Sequence, residues 1–512
     1  MFRSSQIITL AGAGTLSAAG AVLAADGSGD MSAQIAELRA ANEALAAKVA
    51  KLEASADGEQ WLTEARADEI RAIVTDVLAD ADSRTSLQSS GATAGWNKDQ
   101  GGFFIASPSG DFKLNIKGQV QFRWAFNDRD TDTAGADPKP DTWGFENRRT
   151  KLAFTGFVVD PSWTYEVQPV FNRAPGSVSS GAQTFSSGNI VGSVENIWIQ
   201  KDFGQGTTLR VGQFKAPFLR EELVSSSAQL AVERTLVNDV YSTKFSQGIQ
   251  LEHTVGSLRA QLFYGDGLRA NATSITSSAS TNAGGFAGAY TTPFNTNPTN
   301  WAFAGRVEWL GQGQWKQFRD LTSMRGEEKG WMLGFGAMGQ SLRPGSEGPV
   351  TASTTDWMWG ATADFTYDFG GANLFMYGVY RFVGLEGEVA TRGGGSSDSM
   401  DQFGAVVQGG VFVSDEVELY ARYEWGNTDT DKFRTGSGGL ATRELDSIAT
   451  VGMNWYIGGN KDLKWSSDFG YAFDPVGDFN SSGADWLSDV NSTANTTNEG
   501  QWVVRSQIQL LF

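Results

Sequence analysis

From Gly101 to the last residue the side chains alternate between apolar and polar, and this two-residue rhythm restricts the fold more than any other feature. Its clearest stretch is 112–126. There Phe112, Leu114, Ile116, Val120, Phe122, Trp124 and Phe126 alternate with Lys113, Asn115, Lys117, Gln119, Gln121 and Arg123. A strand turns successive side chains to opposite faces, so each such run has one greasy face and one wet face. Soluble antiparallel sheets alternate as well. Fifteen residues is nevertheless long for a soluble strand, and it suits a tilted strand that crosses a bilayer and rises beyond it.

The rhythm recurs sixteen times, and the predicted strands are 112–126, 147–159, 163–171, 193–203, 207–214, 244–254, 258–266, 301–310, 330–340, 356–368, 373–382, 401–412, 417–425, 445–457, 463–473 and 500–512. The connections alternate in length. Asp160-Pro161-Ser162, Gly204-Gln205-Gly206, Val255-Gly256-Ser257, Gly370-Gly371-Ala372, 413–416 and 458–461 are tight turns, whereas 127–146, 267–300, 383–399 and 475–499 are long loops. Short turns at one end and long loops at the other predict an antiparallel up-and-down outer-membrane β-barrel of about 16 strands. Lipid offers no hydrogen bonds, so strands span it only when the sheet closes on itself. A barrel of this size leaves an aqueous lumen, whereas an eight-stranded one is filled by side chains. The connection 311–329 departs from the pattern, being long and charged where a short turn belongs.

Ahead of the barrel the period is helical. Arg3, the apolar run Ile7 to Leu23 and the small-residue end Val22-Leu23-Ala24 read as an export signal over 1–24,. A helical extension follows over 32–82. In its first part Ile35, Asn42 and Val49 fall on heptad a positions and Leu38, Leu45 and Leu52 on d, as in a short coiled coil,. A solitary amphipathic helix gives the same pattern. Residues 83–100, rich in Ser, Gly and Thr, read as a linker before the barrel domain at 101–512.

Composition narrows the function. No run of eighteen apolar residues follows residue 30, so no membrane helix is expected there. The net charge of −18 excludes nucleic acid as a partner, because phosphate binding relies on a basic surface,. Cysteine is absent and His253 is the sole histidine, which removes thiolate and multi-histidine metal sites and the commonest catalytic dyads,. His253 ends a strand beside a short turn, where a structural role is expected. Asp128, Asp130, Asp132 and Asp137 offer oxygens in one loop, but their spacing is not that of a calcium loop, so they read as solvated charge,. No metal, cofactor or enzymatic activity is expected.

Several segments resemble the phosphate-selective porin O/P family. They are Leu-Arg-Val-Gly-Gln-Phe-Lys-Ala-Pro-Phe at 209–218, Glu-Glu-Leu-Val-Ser at 221–225 and Val-Glu-Arg at 232–234. Phe103-Phe104 ahead of Gly-Asp-Phe-Lys-Leu at 110–114, Arg148-Arg149, Val417 to Trp425 and Gly-Met-Asn-Trp-Tyr at 452–456 extend the likeness over 101–512. The resemblance implies a trimeric sixteen-stranded porin whose third loop folds inward to narrow the pore. Lys215 to Thr243 is the third long loop, which places Lys215, Arg220, Glu221, Glu222, Glu233 and Arg234 at the constriction. On the alternation, Lys113, Lys117, Arg123, Arg149 and Lys151 face the lumen as pore-wall residues. Glu166, Glu418 and Glu424 face it too, so no continuous basic ladder is expected. Cationic rings favour anions in a pore, and interleaved carboxylates weaken that field. An alternative role for Arg220 and Arg234 is to pair with Glu222 and Glu233 and pin the loop to the wall.

Trp163, Tyr165, Trp198, Trp455 and Trp502 are expected to point outward as interfacial rings. The chain stops on Phe512 at the end of an alternating strand, similar to the terminal signal by which outer-membrane barrels engage their insertion machinery. The partners expected are outer-membrane lipid, that machinery, two further copies of the chain, and small anions or other small solutes. Two functions fit: a channel for passive diffusion of small hydrophilic solutes, with the front segment periplasmic, or a structural anchor whose coiled coil tethers the envelope.

Overall fold

A computed structural model describes residues 91–97, 102–129, 141–173, 190–268, 299–342, 355–391, 394–429, 447–476 and 500–512, with a few short runs and single residues besides. The chain divides into two units at Ser90/Gly91. In the first, residues 39–40, 42–48, 50 and 74–75 are helical. The export signal and the heptad positions Ile35, Leu38, Val49 and Leu52 lie outside the described residues, as do Asp130, Asp132 and Asp137.

The second unit is a closed antiparallel barrel of sixteen strands. They are β1 Phe112–Asp128, β2 Asp141–Val158, β3 Trp163–Arg173, β4 Ile190–Gly204, β5 Thr207–Lys215, β6 Phe245–Val255, β7 Leu258–Gly265 and β8 Thr299–Gln312. The second half comprises β9 Gly330–Leu342, β10 Thr355–Asp368, β11 Ala372–Ala390, β12 Ser396–Phe412, β13 Val417–Asn427, β14 Ser447–Tyr456, β15 Leu463–Ala472 and β16 Trp502–Leu511. Each pairs with its chain neighbour, and β16 closes on β1 from Trp502↔Asp128 to Leu511↔Gln119. Gly118 and Phe512 then exchange backbone hydrogen bonds of 2.6 and 3.1 Å. Every wall strand thus has two neighbours, which is the condition for placing a sheet in lipid.

All sixteen expected strands are present. Two of the long loops are shorter than expected. Much of 383–399 continues β11 and β12, paired as far as Ala390↔Ser396, and β2 already begins at Asp141. Strands of this kind carry their own ladder past the bilayer, where alternation is no longer imposed by lipid and the sequence signal fades. Thr93–Asn97, inside the segment read as linker, is also a strand. It pairs with Gly102–Ala106, which in turn pairs with Lys113 to Ile116 of β1. This hairpin takes up the β1 edge just beyond Phe512.

Outside the wall, rings and branched chains stand exposed, among them Trp163, Ile199, Phe335 and Trp455. Trp198 corrects the reading: Ile197 and Ile199 point outward, so Trp198 points into the lumen, where the Arg210 guanidinium lies 4.5 Å from its ring. The tight turns use left-handed backbone, as at Gly204, Gln205 and Gly206 with φ of 79°, 52° and 78°. A side chain on Gly206 would also sit 2.0 Å from the Thr254 carbonyl oxygen, so the hairpins close this tightly only with glycine,.

Candidate functional site: a constriction built from the β5–β6 loop

Residues 216–244, between β5 and β6, fold into the lumen. The segment contains two short helices, α1 Arg220–Leu223 and α2 Leu236–Tyr241, the second capped by Thr235 Oγ1, which accepts from Asn238 N–H at 3.0 Å. Phe218, Leu219, Leu236, Val237 and Tyr241 are fully buried against Ala302, Met338, Met358, Val379 and Val406 of the wall. A porous barrel therefore has an apolar core of its own, formed where the loop lies on the inner wall. Each such side chain contributes roughly 1.5–3 kcal/mol on burial.

Irregular backbone in a lumen has carbonyls that no sheet satisfies, and inward wall side chains supply the donors. Arg306 donates to the Phe218 carbonyl (3.0 Å), Gln509 to Ser227 (3.0 Å), Lys464 to Gln229 (3.1 Å) and Asn454 to Leu230 (2.8 Å). Arg422 donates to Glu233 (2.6 Å) and Arg381 to Val240 (2.7 Å). Much of the lumen's cationic charge is occupied in holding the loop.

On the other side of the loop the charged residues converge. Glu233 accepts from Arg123 (2.6 Å), Arg148 (2.8 Å) and Arg149. Burial alone would raise its carboxyl, but Arg148, Arg149 and Arg123 outweigh burial and hold it well below the usual carboxylate range,. Glu222 is likewise depressed, burial being overcome by Arg234, Lys215 and Lys244. Lys215 lies 3.3 Å and Arg234 3.7 Å from it. Lys151 pairs with Glu195, and Glu146 stands 3.5 Å from Arg123. Lys151 is within electrostatic reach of Arg149 and Arg234, so these pairs form one cluster. With Lys244, which acts on Glu222, and Glu221 and Asp239, which act on Arg234, seven cations (Arg123, Arg148, Arg149, Lys151, Lys215, Arg234, Lys244) face six carboxylates (Glu146, Glu195, Glu221, Glu222, Glu233, Asp239). Arg148 and Lys215 keep 20 % and 17 % of their side chains accessible, so the cluster borders the open part of the lumen.

A sequence model of the phosphate-selective porin O and P family matches residues 115–471, well over half of the chain. The chain belongs to that family. It is an outer-membrane porin, a water-filled channel through which small hydrophilic solutes diffuse passively. No curated protein matches it in sequence. Similar solved structures include Salmonella typhi OmpF in complex with daunomycin (TM-score 0.46, 11 % identity, 79 % of this chain and 99 % of that one). The outer membrane channel DcaP of Acinetobacter baumannii gives 0.45, 12 %, 80 % and 100 %, and an anion-selective porin from Comamonas acidovorans 0.44, 11 %, 78 % and 99 %.

The porin thus brings Arg123, Arg149 and Lys151 of the wall and Lys215 at the end of β5 together with Glu222, Glu233 and Arg234 of the loop. The other expected site residues make their contacts elsewhere. Arg220 reaches Thr366 (3.2 Å), the Phe318 carbonyl (2.5 Å) and Glu308 (3.7 Å), and Glu221 accepts from Thr235 and Tyr377. These two fasten the loop to the wall. Lys113 sits 5.1 Å over the Phe104 ring and Lys117 is half-buried, both toward the short-turn end. The loop is pinned partly by other partners than expected: Arg234 reaches Glu222, one of the two expected carboxylates, but Glu233 binds wall arginines and Arg220 meets Glu308.

Two members of the cluster escape strict alternation, and both sit on β-bulges. Between Gln121↔Arg149 and Phe122↔Asn147 the β1–β2 register slips, leaving Arg148 as the extra residue. Between Gln168↔Asn196 and Pro169↔Val194 the β3–β4 register slips, and Glu195 is extra. A bulge lets adjacent residues aim to one side. The sequence holds a signal for each: consecutive arginines in a strand, and Pro169, which has no N–H to give a regular ladder.

Proposed function

We propose that this porin passes small anions somewhat more readily than cations, with the 216–244 loop setting the aperture. The supporting observation is the excess of cations over carboxylates in the cluster around Glu233 and Glu222. Because most of these cations are paired, the field is that of a weakly biased pore, not of a dedicated phosphate ladder. The protein carries out no catalysis in this reading. Residues 1–24 are removed on export, 32–82 form a periplasmic helical segment joined through 83–100, and three copies assemble with that segment supporting the association. Phe512 serves as the insertion signal.

Reversal potentials across a planar bilayer in a potassium chloride gradient, with and without added phosphate, test the selectivity. A chloride-to-potassium permeability ratio of about 2–5 is expected, with weak competition by phosphate. A ratio at or below one, or a chloride current strongly blocked by phosphate, sinks the reading. Chemical cross-linking of the detergent-solubilised protein tests the trimer.

A further inference from the structure

The connection 313–329 between β8 and β9 is the one turn-end segment whose length broke the pattern, and it does not hang free. Phe318 and Leu321 are 3 % and 1 % exposed. The Leu321 N–H donates to the Ala228 carbonyl of the constriction loop at 3.1 Å. The Phe318 carbonyl accepts from Arg220 of the same loop. Beyond that meeting point the segment continues across the mouth. Thr322 Oγ1 donates to Glu418 of β13 at 2.7 Å, Asp320 pairs with Lys461 of the β14–β15 turn at 2.7 Å, and Arg325 donates to the Phe412 carbonyl of β12 at 2.7 Å. Two irregular segments, entering from opposite ends of the barrel, touch inside it.

We propose that residues 313–329 are a second constricting segment. They cover the short-turn mouth over β8–β15 and confine solute to the sector along β2–β7. Inward side chains of that sector, such as Glu166, Gln200, Arg210 and Gln261, remain half-buried and not sealed. Trp315, with the Arg259 guanidinium 4.4 Å from its ring, marks the border between covered and open wall. The lumen then narrows twice, first at the loop cluster and again at the exit.

This inference rests on the channel reading, and single-channel recording in planar bilayers separates the two. In one variant Trp315 to Glu328 is replaced by a four-residue Gly/Ser turn like those of the other hairpins. Conductance should rise roughly two-fold, because half of the wall circumference is uncovered. A folded variant with wild-type conductance overturns the proposal, whereas a wild-type protein that carries no current removes the channel reading itself. The second variant keeps the full chain and pairs Ala228→Cys with Leu321→Cys in a protein that has no cysteine of its own. The disulfide should form on oxidation, and the oxidised channel should conduct as the same variant does when reduced. Failure to form, or a current that changes on locking, overturns the proposal even where the shortened variant does not fold.

Discussion

The two halves of the barrel wall use the same alternation to different ends. Along β8–β16 the inward side chains are sealed: Arg306, Asp364, Arg381 and Arg505 expose 4 % or less, the arginines held by a carboxylate, an amide or a loop carbonyl and Asp364 by Arg306. Along β3–β7 the inward residues Glu166, Asn196, Gln200, Glu252 and Gln261 keep water contact and pair mainly with one another, as Gln261 does with Glu252 at 2.6 Å. The first sector is a foundation for the loop and the second is a channel lining. A charged residue facing a lumen is therefore not, for that reason alone, a residue facing solute.

The largest effect that bears on this contrast is expected at Glu233. Glu233→Ala removes the carboxylate that three guanidinium groups share and should cost roughly 3–5 kcal/mol, read as a lower temperature for loss of the folded band in detergent electrophoresis. Anion preference should rise as the cluster loses a negative charge, and an unaltered reversal potential would show that these arginines do not border the passage. Next comes a matched pair across the two sectors. Arg306→Met strands Asp364, while Glu308 keeps Arg220 and Arg259, and should cost about 3 kcal/mol, whereas Glu252→Gln in the open sector should cost less than about 0.5 kcal/mol. Equal losses would erase the distinction between foundation and lining.

A smaller change is expected for Lys151→Gln, which leaves Glu195 without its cation. The chloride-to-potassium ratio should fall by about a factor of two with the folded band intact, and an unchanged ratio would place Lys151 off the solute's path. The smallest effect is in pH. Glu222 and Glu233 have depressed carboxyl pKa values in the folded state. Their contribution is therefore present above the unfolded value of about 4.3 and lost as pH falls through the folded ones. The temperature at which the folded band is lost should not fall on account of these two carboxylates between about pH 7 and 5, and Glu222→Gln and Glu233→Gln should change its pH dependence only in strong acid; a dependence that either substitution abolishes within that window would contradict the pinned loop.

Most of this architecture was legible because lipid and water enforce alternation residue by residue. Phe112 to Phe126 announced β1, and the tight turns at 204–206 and 370–371 announced their hairpins. What stayed hidden depends on register and on long-range contact. Unbroken alternation puts Trp198 on the wrong face because the slip at Glu195 reverses the parity around it. The slip beside Arg148 hides its inward direction in the same way. Arg220 and Glu221 carried the chemistry of a constriction, but only the positions of Glu308, Thr366 and Tyr377 on distant strands show that they are fasteners. The extended ends of β11 and β12 lie where no bilayer shapes the sequence.

The meeting of Phe512 with Gly118 bears on how such a cylinder comes together. Neighbouring hairpins are local in the chain and can zip one after another, but Leu511 and Gln119 are joined across nearly the whole domain, a closure of high contact order,. The seam must therefore seal last, when the final strand has emerged. A side chain at 118 would sit 2.2 Å from the Phe512 ring, so the terminal ring acts as a peg with one socket. A slip of a single residue would set it against Lys117 or Gln119, and the cylinder would not shut.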